Sequence, residues 1–135
     1  MSVIVDTSAW SHALRRTTPT DDPQAAKLAE LLRQRQPVVL LGVILQELLQ
    51  GIRESAEFER IRAYLEPFPL VELTRRDYVA AARLGNLCRS KGVQVSIVDS
   101  QIAAACIEHD CALLTCDQDF EHMAEFCPLR LALVT

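Results

Sequence analysis

Apolar residues along this chain follow two rhythms. Short, mostly apolar runs at 3–5, 38–41, 70–73, 112–115 and 129–134 read as strands, the first as a buried one. Between them lie longer segments whose apolar positions recur every three to four residues, at 9–14, 24–35, 43–52, 58–65, 77–88, 96–109 and 119–125. In the second of these, Ala26, Leu28, Leu31 and Leu32 fall on one side. Punctuation agrees with this division. Asp22-Pro23 opens one helix after a polar loop at 17–23, Pro37 closes it, Gly51 stops the next, Pro67 and Pro69 end the fourth, and Gly92 follows the Ala-rich fifth. Strands separated by helix-length segments predict an α/β fold, with a mostly parallel central sheet of about five strands flanked by helices.

Composition adds bounds. At 135 residues, half of them hydrophobic and 24% charged, the chain suits one globular domain. No apolar run approaches the ~20 residues of a membrane span, so no membrane association is expected. The opening Met1-Ser2-Val3-Ile4-Val5-Asp6 meets an acid at once and reads as a first strand rather than a signal peptide. Five cysteines, odd in number and without a CxxC pair, point to reduced core thiols in a cytoplasmic protein rather than to disulfides or zinc. A net charge of −4 does not advertise nucleic-acid binding, yet twelve of the fourteen basic residues are Arg, whose forked head suits phosphate. They gather as Arg15-Arg16, Arg33 with Arg35, Arg60 with Arg62, and Arg75-Arg76.

The chemistry concentrates in four acids placed at the ends of apolar runs or beside apolar helical faces. Asp6 closes the first strand and Asp117 the fourth, and in open α/β sheets ligands bind beyond those carboxyl ends. Each could also cap the helix that follows it. One oxygen can cap while the other faces a ligand. Asp99 stands three residues after Ser96, as in a capping box, but it also lies above Ala103 and near Ile102 and Cys106, the face its helix should bury. Glu47 borders the apolar stripe of its helix, one turn before Gly51. Carboxylates gathered at one sheet edge suppress one another's ionisation, and a hard divalent cation held by oxygens relieves that. Thr7, Ser8 and Thr115 could orient carboxylates, and Asp119 follows Asp117 closely enough to share its site. His12, His109 and His122 share no ligand spacing and read as structural; Trp10 reads as core. The chain has no Gly-rich phosphate loop, which argues against an NTPase or dinucleotide binder.

Assembled, these segments resemble a PIN-domain ribonuclease, and among them the VapC-type toxins of bacterial toxin–antitoxin pairs. The resemblance rests on Val3-Ile4-Val5-Asp6-Thr7-Ser8-Ala9, on Gln46-Glu47-Leu48, on Ile97-Val98-Asp99-Ser100-Gln101-Ile102-Ala103-Ala104, and on Leu113-Leu114-Thr115-Cys116-Asp117-Gln118-Asp119-Phe120. It covers essentially the whole chain and implies a single PIN-like domain over 1–135. It also implies a catalytic quartet of Asp6, Glu47, Asp99 and Asp117, with Asp6, Asp99 and Asp117 as metal ligands and Thr7, Ser8, Thr115 and Asp119 in support. The activity implied is Mg²⁺- or Mn²⁺-dependent hydrolysis of RNA, leaving 3′-hydroxyl and 5′-phosphate ends. Implied partners are an RNA substrate, a cognate antitoxin whose tail covers the acidic pocket, and a second copy of the chain in a homodimer.

Two other readings compete. A phosphatase with Asp6 as covalent nucleophile would want a second aspartate where Ser8 stands. A non-catalytic domain could use its acids only to dock a basic partner. A receiver-type signalling domain fits less well, because the segment at 70–73 ends without an aspartate.

Overall fold

The computed structural model describes residues 1–14 and 23–132. The expected loop at 17–23, Arg15-Arg16 and the last residues of the expected fifth strand lie mostly or wholly outside that range. Eleven elements follow in order: β1 (Ser2–Val5), α1 (Thr7–Leu14), α2 (Pro23–Arg33), β2 (Val38–Leu41), α3 (Gly42–Leu49), α4 (Ser55–Leu65), β3 (Leu70–Val71), α5 (Arg75–Ser90), α6 (Ile97–Glu108), β4 (Cys111–Leu114) and α7 (Gln118–Ala124).

The sheet is parallel throughout, in the order β3-β2-β1-β4. Its central pair runs in register from Ser2 opposite Cys111 to Val5 opposite Leu114. Val3, Ile4, Val5 and all four residues of β4 are buried, as unbroken apolar runs require of strands covered on both faces. The chain steps outward from β1 to β2 and β3, then returns to lay β4 on the other side of β1. That reversal is a topological switch point, and it opens a crevice where the carboxyl ends of β1 and β4 meet.

Local physics explains where the observed elements depart from the expected ones. The fifth strand shrinks, among the described residues, to one parallel bridge between Leu131 and Leu113, made by Leu113 N–H to Arg130 C=O at 2.9 Å and Ala132 N–H to Leu113 C=O at 2.7 Å. β3 stops at Val71 because its only neighbour, β2, turns into α3 at Gly42 and leaves nothing further to pair. α3 ends before Gly51, whose φ of +93° is the left-handed conformation glycine tolerates.

α5 starts two residues ahead of the expected position because Thr74 and Asp77 form a reciprocal capping box. The Asp77 carboxylate accepts from the Thr74 amide at 2.8 Å, and its other oxygen lies 3.0 Å from His109 Nε2 at the end of α6. Burial works to raise the Asp77 pKa, but the Thr74 amide and the His109 ring outweigh it and hold the carboxyl below its ordinary range. A depressed carboxyl contributes stability that is complete above its unfolded value of about 4 and is lost as pH falls through the folded value. Asp77→Asn is therefore expected to cost about 1 kcal/mol at neutral pH, as for loss of a cap. It should also flatten the acid limb below about pH 4, and urea titrations at a series of pH values check both effects.

The core lies on both faces of the sheet. Trp10 on α1 is fully buried, edge-on to Phe68 at 5.2 Å and to Tyr64 at 6.3 Å between ring centres. All five cysteines are free, with Cys88, Cys106 and Cys111 buried. No helix among the described residues is long and apolar enough to cross a membrane.

Candidate metal centre

Asp6 leaves β1 directly into α1. Its amide continues the sheet by donating to the Leu114 carbonyl at 3.0 Å, and its own carbonyl accepts from Trp10 N–H to begin the helix. The side chain caps that helix: Oδ1 accepts from Ala9 N–H at 3.0 Å and from the Ser8 hydroxyl at 2.6 Å. The opposite oxygen, Oδ2, accepts from Thr115 Oγ1 at 2.5 Å. Thr115 Oγ1 in turn accepts from Asp117 N–H, and Ser8 Oγ from Cys116 N–H. Two hydroxyls and one carboxylate thus tie the turn after β1 to the turn after β4. Burial raises the pKa of Asp6; the Ser8, Thr115 and Ala9 hydrogen bonds pull the other way, and the charge of Asp117 adds to the rise.

Asp117 is the N-cap of α7, accepting from Asp119 N–H at 2.9 Å. Across the crevice Ser96 caps α6 by accepting from Asp99 N–H at 3.0 Å, which aims the half-buried Asp99 out of the first helical turn. Burial raises the Asp99 pKa, and the charges of Asp117, Asp119 and Asp6 raise it further against the pull of Ser96. One carboxylate oxygen each from Asp99, Asp117 and Asp119 lies within 4.8 Å of the others. Asp6 lies outside that trio yet close enough to shift Asp99. Glu47 is exposed on α3, and its Oε1 accepts from Thr7 Oγ1 at 2.8 Å, which links it to the first residue of α1. Asp6, Ser8, Thr115, Asp99, Asp117 and Asp119 are therefore linked around this crevice, whereas Glu47 reaches only Thr7, beside Asp6.

The donor set fits a hard cation. Its members are all carboxylate oxygens, and among the described residues none of the trio is in an ion pair with Arg, Lys or His. Arg33, Arg60, Arg62 and Arg76 each meet a glutamate.

Beside the trio opens a cleft of about 930 Å³, lined by Asp99, Asp119 and Ser96 and also by Arg89, Gln94 and His122. These last three were not legible as site residues. Arg89 belongs to none of the arginine groups in the sequence, and His122, which reads as structural, comes to the cleft because it follows Asp119 by three on α7.

The sequence pattern of the PIN domain matches residues 3–126. Among solved structures the chain is similar to VapBC2 from Rickettsia felis bound to a promoter DNA fragment (TM-score 0.79, 18% identity, 98% of each chain covered). It is similar also to a toxin-antitoxin complex from Klebsiella pneumoniae (0.67, 16%, 87% of this chain and 89% of that one). A third is Mycobacterium tuberculosis VapC20, described as a Sarcin-Ricin loop cleaving toxin (0.64, 21%, 95% and 98%). At these identities the likeness is one of fold.

Proposed function

We propose, from the premise that this chain belongs to the PIN-domain family, that it is a divalent-metal-dependent endoribonuclease and the toxic half of a toxin–antitoxin pair. The observation that carries this reading is the meeting of Asp99, Asp117 and Asp119 at the switch point, with Asp6 close enough to act on Asp99 and, among the described residues, no ion pair to any of the trio. Asp99, Asp117 and Asp119 would hold Mg²⁺ or Mn²⁺, with Asp6 as a fourth, buried charge. A bound cation supplies charge neutralisation at the scissile phosphate and acidifies the attacking water. The chain's own residues do the rest. Thr115 and Ser8 fix Asp6, Asp117 is oriented through its cap, and Thr7 holds Glu47 beside α1, where it can orient water entering the site.

Like charges left uncompensated would repel an RNA phosphate, so binding and cleavage share the need for metal. An antitoxin that silences the site would present a basic side chain to the same carboxylates, and one similar structure is of a toxin-antitoxin complex. We assign the chain as a single domain over 1–135 acting in the cytoplasm as a homodimer, in line with the family resemblance. A covalent Asp6 nucleophile is disfavoured: the residue is 4% exposed and both its oxygens accept hydrogen bonds.

Brief expression of the intact chain beside Asp6→Asn, followed by mapping of new RNA ends, tests the proposal. New 5′-phosphate ends are expected with the intact chain alone. In vitro, chelation by EDTA should stop cleavage and added Mn²⁺ restore it. Identical end maps, or full cleavage in EDTA, would remove the metal-dependent nuclease.

A further inference from the structure

The side of the cleft facing the carboxylates has a fixed backbone. α5 ends in a double clasp, with Gly92 N–H donating to the Arg89 carbonyl at 3.0 Å and Val93 N–H to the Cys88 carbonyl at 2.9 Å. Gly92 takes the left-handed φ of +80° that this helix terminus needs. Four residues later Ser96 caps α6. Residues 93–95 therefore stretch between two caps, and they alternate. Val93 and Val95 are half-buried against the core, while Gln94 stands exposed between them and lines the cleft with Arg89.

Neither polar side chain is engaged. Arg89 has no ion pair and Gln94 no side-chain hydrogen bond among the described residues. A guanidinium and an amide held at the edge of a cleft, with nothing of their own to bind, are positioned for a ligand.

We infer that Arg89 and Gln94 form the nucleotide-binding rim of the site, Arg89 taking a backbone phosphate of a single-stranded RNA and Gln94 the edge of a neighbouring base. The inference rests on the nuclease reading above. A strand whose scissile phosphate lies over Asp99 and Asp119 must continue along the cleft, where its next phosphate meets more acid unless a cation faces it. Arg89 lines that cleft with a permanent positive charge. An amide presents a donor and an acceptor side by side, which lets one side chain read a base edge through two hydrogen bonds. Only unpaired bases offer such edges, because the deep groove of an RNA duplex closes them off. Two flanking caps hold the rim in shape before RNA arrives, so little ordering cost opposes binding.

The test uses the full chain and a short fluorescent pool of single-stranded RNA. Anisotropy is measured with Ca²⁺, and cleavage sites are sequenced with Mn²⁺. Arg89→Gln is expected to weaken binding about tenfold and to reduce the slope of log affinity against log salt by about 0.7, the loss of one phosphate contact on a single strand. Gln94→Ala should flatten the base preference at one position next to the cut. Arg83→Gln, on the outer face of α5, should do neither. Variants at 89 and 94 that match the intact chain in affinity, salt slope and cut-site profile overturn the rim. If the intact protein cuts no RNA, the nuclease reading fails separately. The anisotropy still decides the rim, since an affinity and slope untouched by Arg89→Gln refute it.

Discussion

Asp99→Asn should reduce RNA cleavage more than about 100-fold, because even losing a residue outside the ligand shell of a metal costs roughly 10- to 100-fold and Asp99 belongs to the converging trio. Single-turnover cleavage with Mn²⁺, beside Mn²⁺ titration calorimetry, measures the loss in chemistry and in binding. Activity within a few-fold of the unaltered protein would place the metal elsewhere. The same substitution should make the metal-free protein more resistant to heat. Burial and the charges of Asp117, Asp119 and Asp6 raise the Asp99 pKa, so its ionised form is destabilising in the folded state. An acid raised on folding subtracts stability as pH climbs through its folded value. The gain from Asn is therefore present at neutral pH and fades as pH falls and the carboxyl protonates. Melts in EDTA across that range would show a pH-dependent difference; a constant or reversed difference would contradict the proposed crowding of charge.

Trp10→Ala should destabilise the fold by about 3–5 kcal/mol, the usual result of emptying a large aromatic site in a core. Trp10 is fully buried and is wedged edge-on between Phe68 and Tyr64, so it joins α1 to the end of α4. Its indole N–H has no hydrogen-bond partner among the described residues; the side chain is held by packing alone. Because α1 begins at the Asp6 cap, loosening it also frees the carboxylate that Thr115 and Ser8 hold. Urea unfolding with and without Mn²⁺ checks the magnitude, and a change under about 1 kcal/mol would contradict the packing role.

The pattern of runs and periodic segments located every helix and four of the strands, since burial on both faces of a parallel sheet forces continuous apolar stretches such as Val3–Val5. Boundaries were less legible. The Thr74–Asp77 box was present in the sequence as a T-x-x-D spacing, but Asp77 alone reads as a plain helix start. The expected fifth strand is reduced, among the described residues, to the Leu131 bridge with Leu113, because the length of a pairing is non-local information. At the site, Asp6 and Asp117 were legible because strand ends at a switch point are places where acids have few other reasons to gather. The grouping of Asp119 with Asp99 was not, nor were Arg89 and Gln94. Their proximity depends on how α5, α6 and α7 come together in space. Spacing along one helix says nothing of that.

The hydrogen bond from Thr115 to Asp6 joins residues at opposite ends of the chain. During synthesis, β1 and its aspartate leave the ribosome long before β4 exists to complete the sheet beside them, so a truncated or still-growing polypeptide has no assembled crevice. The contacts that hold the Asp6 carboxylate are complete only once β4 and the turn after it are in place.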